Sequence, residues 1–180
     1  MMGWRDERGF TLAELLVAIA VLALVLAAVT TIQRSALQAY VVGSNKTEVQ
    51  QNARVALERI ARELRQTPGA LTAPLTATSL TLSDQDTGAA VIYALTGNAP
   101  NATLTRTMGG VVGVVIGRVQ ALTFTYRDVN NNVLGVPVVT PPNVFRVDIT
   151  LQTASEDTVV AGGIADTKAQ ITTSVRLRNL

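Results

Sequence analysis

Cysteine and histidine are both absent from this 180-residue chain, and each absence excludes a kind of chemistry. Without cysteine the chain has no disulfide, no thiolate nucleophile and no zinc–cysteine site. Without histidine it lacks the most common general base and metal ligand. A catalytic site would have to use carboxylates, hydroxyl groups and the only two lysines, Lys46 and Lys168. We therefore expect a protein that is not an enzyme and that needs no cofactor.

Charged residues are also scarce, at 16% of the chain, whereas hydrophobic residues make up 48%. The formal net charge is only +2. Binding to nucleic acid would require a clustered basic patch. Arg176 and Arg178, near the C-terminus, are too few to form one, and an exposed strand face is the simpler interpretation. Direct binding of nucleic acid is not expected.

One segment contains much of the apolar excess. Leu15–Ile32 comprises 18 residues without a charge, a glycine or a proline. At 1.5 Å per residue, a helix of this length spans roughly 27 Å, which is close to the thickness of a bilayer's hydrocarbon core. The run is longer than the core of a secretory signal, and no small-residue cleavage site follows it. The sequence predicts a retained transmembrane helix. Arg5 and Arg8 favour a cytoplasmic N-terminus, although two acidic neighbours weaken this bias.

A single carboxylate, Glu14, interrupts the start of the apolar region, five residues after Gly9. One interpretation is an acidic residue in the first helical turn, favoured by the helix dipole. However, Arg-Gly-Phe-Thr-Leu-Ala-Glu before a full apolar helix resembles the type III signal of type IV prepilins and pseudopilins. The resemblance implies that prepilin peptidase cleaves between Gly9 and Phe10 and methylates the new N-terminus of Phe10. It also implies an assembly contact in which Glu14 neutralises the terminal ammonium of a neighbouring subunit.

Helix-compatible residues continue after the apolar run. Asn45 and Glu48 are spaced like a capping pair, at which the helix would kink or restart near Gly43. After this point the pattern is amphipathic, and Pro68 with Gly69 ends it. Apolar residues recur every three or four positions and predict one buried stripe: Val49, Ala53, Ala56, Leu57, Ile60 and Leu64.

The charged residues of this amphipathic segment are spaced for ion pairs along the helix. Opposite charges four residues apart occur at Arg54–Glu58, Glu58–Arg62 and Arg59–Glu63. Each such pair would contribute only a few tenths of a kcal/mol. We expect them on the solvated back of a helix whose apolar face covers a sheet.

The C-terminal part of the chain has the alternating pattern of half-buried strands. The predicted strands are Thr78–Ser83, Ala89–Leu95, Ala102–Thr107, Val119–Arg127, Val144–Gln152 and Gln170–Arg178. The Gly-rich stretch 109–117 lacks the Lys-Ser/Thr of a phosphate-binding loop and is predicted to be a turn and a loosely packed strand. The fold class is therefore α+β: a long N-terminal membrane and assembly helix whose C-terminal half packs on an antiparallel β-sheet head, as in pilins.

The pattern together with the resemblance to prepilins implies five segments. They are a leader peptide at 1–9, a transmembrane and polymerisation helix at 10–33, an amphipathic continuation at 34–66, a linker at 67–77 and a β-rich globular head at 78–180.

An Asn-rich turn in the head is a candidate for calcium binding. Asp128, Asn130 and Asn132 place oxygen-bearing side chains at alternate positions, as at the start of a calcium loop. Val133 stands where that motif has glycine, and Val139 stands where it has a bidentate glutamate. A hairpin turn rich in asparagine explains the same residues.

Motifs in the head extend the resemblance. Tyr126-Arg127-Asp128 before the Asn-rich turn, VFRVDITL from residue 144 and SVRLRNL at the end resemble PilW-like minor pilins. The J-type minor pseudopilin of type II secretion shares this plan. Many major pilins have a glycine or proline in the membrane half of the helix, and none occurs here between Phe10 and Val42. The resemblance therefore implies a minor subunit of a type IV pilus that primes assembly or lies near the tip, in motility, adhesion or DNA uptake.

The implied partners are prepilin peptidase, other major and minor pilins or pseudopilins, and an inner-membrane assembly platform with its ATPase. The implied location is the bacterial inner membrane, crossed once with the head outside the cytoplasm, and then the pilus or pseudopilus. Two alternatives remain at this point: a minor pseudopilin of a type II secretion system, and a solitary membrane-anchored binding protein.

Overall fold

The computed structural model describes residues 9–154 and 168–177. Most of the predicted leader, residues 1–8, and Arg178 lie outside these ranges. The chain forms two compact units, of which the first ends at Val42 and the second begins at Gly43. One helix, α1, comprises Leu12–Gln66 and contributes residues to both. It is assigned as helical through Gly43–Asn45, so the helix does not restart at Asn45. The boundaries proposed for leader, linker and head stay predictions.

The second unit contains six antiparallel strands in one sheet, and they are ordered as they occur along the chain. A short 3₁₀ helix at Pro141–Asn143 precedes the fifth strand. The strands are β1 (Ser79–Ser83), β2 (Ala90–Thr96), β3 (Ala102–Met108), β4 (Val111–Arg127), β5 (Arg146–Ala154) and β6 (Lys168–Arg176). Each predicted strand overlaps one of these, and the α+β fold class is confirmed.

The Gly-rich stretch forms a hairpin turn followed by the first part of β4. Gly109 and Gly110 have φ angles of 57° and 81°, the left-handed conformation that both central residues of a type I′ turn require. β4 is longer than the predicted strand because it includes this stretch. Its first part pairs with β3 and its second part with β5, and the register shifts between Val119 and Ala121. Arg118, with a φ of 51°, lies between Ile116 and Val119, where the pairing with β3 also shifts.

The amphipathic half of α1 covers the sheet through the predicted stripe. All six predicted residues are buried, and Ala61 joins them. All of them except Val49 belong to one hydrophobic cluster with alternate residues of the strands, such as Leu122, Phe124 and Tyr126 of β4. The Tyr126 hydroxyl donates hydrogen bonds to the carbonyl oxygens of Thr76 (3.0 Å) and Ser79 (2.9 Å). These bonds fasten the segment before β1 to the core, where Leu75 is fully buried.

The burial of this stripe gives a stability prediction. Ile60 has no exposed surface, so Ile60→Ala leaves a cavity, and we expect it to lower the free energy of unfolding by about 3 kcal/mol. Val55 lies on the same helix with 66% of its surface exposed, and Val55→Ala should change stability by less than about 0.5 kcal/mol. Urea unfolding of the full chain in detergent micelles, followed by circular dichroism of the sheet, measures both. Equal losses would mean that α1 does not pack on the sheet through this stripe.

The ion pairs that α1 forms differ from those that the four-residue spacing of its charges predicted. Only Arg59 and Glu63 pair within α1, at 3.6 Å, and neither Arg54–Glu58 nor Glu58–Arg62 forms among the described residues. Glu63 instead accepts hydrogen bonds from Nε of Arg106 in β3, at 3.0 and 3.1 Å. This pair is shielded from solvent and has two hydrogen bonds, which is stronger than an exposed pair along a helix. The expectation of three helix pairs was therefore wrong for two of them.

Candidate functional site

The first turn of α1 is closed by Thr11 and Glu14. A Glu14 carboxylate oxygen accepts hydrogen bonds from the backbone N–H of Thr11 (2.9 Å) and from its hydroxyl (3.0 Å). In return, the backbone N–H of Glu14 donates to the Thr11 hydroxyl oxygen at 3.2 Å. This reciprocal arrangement is a capping box, and it satisfies donors that the start of a helix leaves unpaired. Glu14 is thus held in the first turn of the helix, four residues beyond the exposed, non-helical Phe10.

Thr11 is the functional residue that the sequence interpretation missed. Its signal was present, because Thr-x-x-Glu directly before an apolar run is the sequence signature of a capping box. The same reasoning was applied to Asn45 and Glu48, where the helix continues instead. The two sites differ in what precedes them, because Gly9 and Phe10 directly before Thr11 are not helical, whereas α1 is already formed before Asn45.

The helix that follows this start exposes a continuous apolar surface over Leu15–Val29. Every residue from Gly9 to Tyr40 is exposed in the isolated chain, including Phe10 at 89%. Exposed apolar surface of this extent requires lipid or other apolar helices to cover it. Within the described residues α1 is the one helix that is long and apolar enough to cross a membrane.

Three hydroxyl groups towards the end of the apolar segment make hydrogen bonds within the helix. The hydroxyl groups of Thr30 and Thr31 both donate to the carbonyl oxygen of Ala27, each at 2.9 Å. The Ser35 hydroxyl donates to the carbonyl oxygen of Thr31 at 3.1 Å. Such bonds remove the need for water partners, so the hydroxyl groups are compatible with an apolar environment. The charged Glu14 is the exception in the apolar segment, because bonds to Thr11 leave its charge unneutralised.

The calcium candidate lies in the turn after β4 and has its own hydrogen bonds. One carboxylate oxygen of Asp128 accepts the backbone N–H of Asn132 at 2.8 Å, and the other accepts the Asn132 side-chain amide at 3.0 Å. Asn131 adopts a φ of 68°, which closes the turn. No cluster of three or more metal-ligating acidic residues occurs in residues 9–154 or 168–177. Hydrogen bonds therefore explain the turn, and calcium binding by Asp128, Asn130 and Asn132 stays a prediction.

A charged cluster fastens this turn to the outer face of the sheet. Asp148 of β5 accepts hydrogen bonds from Nε of Arg127 (2.7 Å), Nε of Arg146 (2.7 Å) and the Ser174 hydroxyl (2.7 Å). Arg127 also donates to the carbonyl oxygen of Asn131 in the turn. Burial opposes the charged form of Asp148, but the bonds from Arg146, Arg127 and Ser174 outweigh it and hold the pKa well below its usual range. The cluster is structural.

Asp148 should make the stability of the head depend on pH. Its pKa is lower in the folded chain than in the unfolded chain, so its contribution is complete above the unfolded pKa of about 3.9 and is lost as the pH falls below it. We expect Asp148→Asn to lower the unfolding free energy by about 2 kcal/mol at neutral pH, a difference that shrinks towards pH 2. Urea unfolding across this pH range measures it. Glu48→Gln, at an exposed position without an ion pair, is the control, and a constant Asp148→Asn deficit at all pH values would contradict the prediction.

The predicted site residues fall into two groups. Gly9, Phe10 and Glu14 lie together at the start of α1 in the first unit, whereas the Asp128 turn belongs to the second unit. Only the first group is associated with the exposed apolar helix. Directly before the apolar segment the chain thus has, in this order, the small Gly9, the exposed Phe10 and the Glu14 carboxylate that is hydrogen-bonded to Thr11.

Comparison with known proteins finds a match for the segment that contains Gly9, Phe10 and Glu14. Residues 4–30 match the family model described as "Prokaryotic N-terminal methylation motif". No curated protein and no solved structure matches the chain. The motif supports a protein of the type IV pilin or pseudopilin class, whose members are structural subunits and not enzymes. It also implies processing by prepilin peptidase, association with other pilins and anchoring in a membrane. It leaves the PilW-like subtype open.

Proposed function

Because this chain is a type IV prepilin-like protein, we propose that it is a minor pilin subunit. In this proposal it joins a type IV pilus, where it primes assembly or lies near the tip. Its function is then to support motility, adhesion or DNA uptake. The uninterrupted apolar helix, without glycine or proline between Phe10 and Val42, favours a minor over a major subunit.

One observation supports this proposal more strongly than any other. A capped helix start with a positioned carboxylate directly precedes a helix whose apolar surface is exposed on all sides. A simple membrane anchor needs the apolar helix but has no use for a charge beside it, since a charge at membrane depth costs free energy. A subunit that packs against identical or similar helices can use the charge to set their axial register.

The proposed chemistry involves three residues. Prepilin peptidase hydrolyses the peptide bond between Gly9 and Phe10, which releases the leader and creates an ammonium group on Phe10. The same enzyme then transfers a methyl group to that nitrogen. In the filament, the carboxylate of Glu14 on one subunit neutralises the ammonium group of its neighbour. Each charge alone would be costly in apolar surroundings, and together they stabilise one register.

The proposed location follows from the same segment. The chain crosses the bacterial inner membrane once, with its N-terminus in the cytoplasm and its head outside. An assembly platform in that membrane, driven by an ATPase, extracts the subunit into the pilus. Arg5 and Arg8 support this orientation, since basic residues favour the cytoplasmic side.

The test is the yield of surface pili in a strain that lacks this gene. Pili are sheared from the cells and the major pilin in the sheared fraction is quantified. We expect loss of pili, restored by the wild-type gene and not by Glu14→Ala. Normal pilus yield would overturn the priming role.

The same strain distinguishes the alternatives. A minor pseudopilin of a type II secretion system has the same N-terminal chemistry, so its loss would leave pili intact and block export of secreted enzymes. A solitary membrane-anchored binding protein would retain its leader and would not copurify with other pilins. Mass spectrometry of the mature N-terminus separates the last alternative from the other two.

A further inference from the structure

The two edges of the sheet are protected differently. At the β1 edge, the preceding segment covers the strand: the Thr72 N–H donates to the carbonyl oxygen of Thr81, and the Thr76 N–H donates to that of Ser79. At the other edge, β6 pairs only with β5 within residues 9–154 and 168–177. A strand at a sheet edge leaves alternate N–H and C=O groups unpaired, which makes it a template for another strand. β6 offers nine residues of this template.

A groove runs between this open edge and α1. Its volume is about 500 Å³, and it is open to solvent along its length. The apolar floor consists of Leu57 and Ala61 of the helix and the half-buried Ile171 of β6. The floor is thus wide enough for side chains of an extended segment, while the β6 backbone forms one wall.

The helix side of the groove has unpaired charges of predominantly one sign. Arg54, Arg62 and Arg65 line it together with a single carboxylate, Glu58. None of these four makes an ion pair within the described part of the chain, although Glu58 is spaced to pair with both Arg54 and Arg62. By contrast, Arg59 and Arg106 both pair with Glu63. Three guanidinium groups and one carboxylate give this side of the groove a net charge of +2, which is available to a partner.

We propose that this β6 groove binds an acidic, extended segment of a partner protein, which adds to the sheet as a further strand. Main-chain hydrogen bonds to β6 would supply affinity, and carboxylates facing α1 would supply selectivity. Alternate residues of a strand point to the same side at intervals of about 6.8 Å. Arg54 and Arg65 are separated by about 16 Å along the helix axis, and acidic residues at three alternate positions of a strand span about 14 Å, which is a comparable length.

The geometry favours a peptide over nucleic acid as the partner. Both are attracted by arginines, but only a peptide strand can pair with the unpaired backbone groups of β6. The groove also lies outside the segment that contains Glu14, so it adds an interaction of the head to the proposed assembly function. A failure of the groove to bind would leave the proposed assembly function intact.

The first test measures binding of a fluorescent nine-residue peptide with alternating Glu and Thr to the full chain in detergent micelles. We expect a saturable rise in fluorescence anisotropy that weakens with salt. Arg54→Glu and Arg62→Glu should each weaken binding by about tenfold, and Glu58→Gln should strengthen it by about twofold. Lys46→Glu makes the same charge change at an exposed helix position outside the groove and should have less than about a twofold effect.

The second test separates strand pairing from attraction by charge alone. The same peptide with N-methyl groups along one edge keeps its carboxylates. It loses the backbone N–H groups that would donate hydrogen bonds to the carbonyl oxygens of β6. We expect it to bind at least about tenfold more weakly. Equal binding of the two peptides would overturn the proposal, as would equal binding by Arg62→Glu and wild type. No binding to the wild-type chain, or tighter binding of a DNA duplex than of the peptide, would also overturn it.

Discussion

Glu14→Ala is expected to reduce incorporation of the chain into filaments by about 100-fold, because it leaves a buried ammonium group without its partner. In the proposed filament, the new N-terminus of Phe10 bears a positive charge that enters the apolar interior between helices. Removal of one partner from a buried ion pair costs about 3–5 kcal/mol. The substitution does not reduce the apolar character of the helix, so the chain should still reach the membrane and lose its leader.

The capping box makes a discriminating control available for this prediction. Thr11→Ala removes the hydroxyl that bonds to Glu14 but keeps the carboxylate, so incorporation should stay close to the wild-type level. Glu14→Gln keeps the shape and loses the charge, and it should behave like Glu14→Ala. The measurement is the amount of this chain in sheared filaments, relative to the major pilin and to the membrane pool. If Thr11→Ala is as damaging as Glu14→Ala, the carboxylate acts as a helix cap and not as an ion-pair partner.

Gly9→Val is expected to block removal of the leader, with a cleavage rate about 100-fold below wild type, equivalent to about 2.7 kcal/mol of lost transition-state stabilisation. A protease site that accepts glycine at the scissile bond has no space for a β-branched side chain. In the chain itself, a Cβ at Gly9 would meet nothing within 4 Å. The substitution should therefore leave the helix start intact, and its effect can be assigned to the peptidase.

The mass of the N-terminal peptide, determined on protein extracted from membranes of cells that contain prepilin peptidase, measures this effect. Gly3→Val makes the same change elsewhere in the leader and should be cleaved normally. Because uncleaved protein cannot present an ammonium group on Phe10, Gly9→Val should also be absent from filaments. Normal cleavage of Gly9→Val would mean that the leader ends at another residue.

The periodicity of the sequence was sufficient to predict the elements of the fold. The stripe from Val49 to Leu64 is buried as predicted, because an amphipathic helix has one way to hide its apolar face. Phe124 and Tyr126 are buried on alternate positions of β4 for the corresponding reason in a strand. The length of β4 was underestimated because Gly113 and Gly117 interrupt the valine-rich stretch before Val119, which was predicted as a separate, loosely packed strand, whereas pairing with β3 makes it continuous with β4.

The candidate site at the helix start was also predictable, because it is local. Gly9, Phe10 and Glu14 lie within six residues, and so does Thr11, whose capping role was overlooked. A residue four positions away on a helix is near in space whatever the rest of the chain does. Local spacing did not predict the ion pairs correctly, because Glu58 is four residues from both Arg54 and Arg62 and pairs with neither within the described residues.

By itself, the sequence determined the apolar helix, its charged start, the amphipathic stripe and the strand segments, all of which depend on neighbours within a few positions. Only the tertiary structure decided that Glu63 pairs with Arg106 and that Asp148 accepts hydrogen bonds from Arg127, Arg146 and Ser174. It also decided that, among residues 9–154 and 168–177, β6 pairs on one side only and lies beside arginines that form no ion pair. The physical reason is the difference in free energy between the two kinds of ion pair. A pair along a helix contributes only a few tenths of a kcal/mol, so a shielded pair between distant elements outweighs it. Which distant residues meet depends on the order of the strands in the sheet.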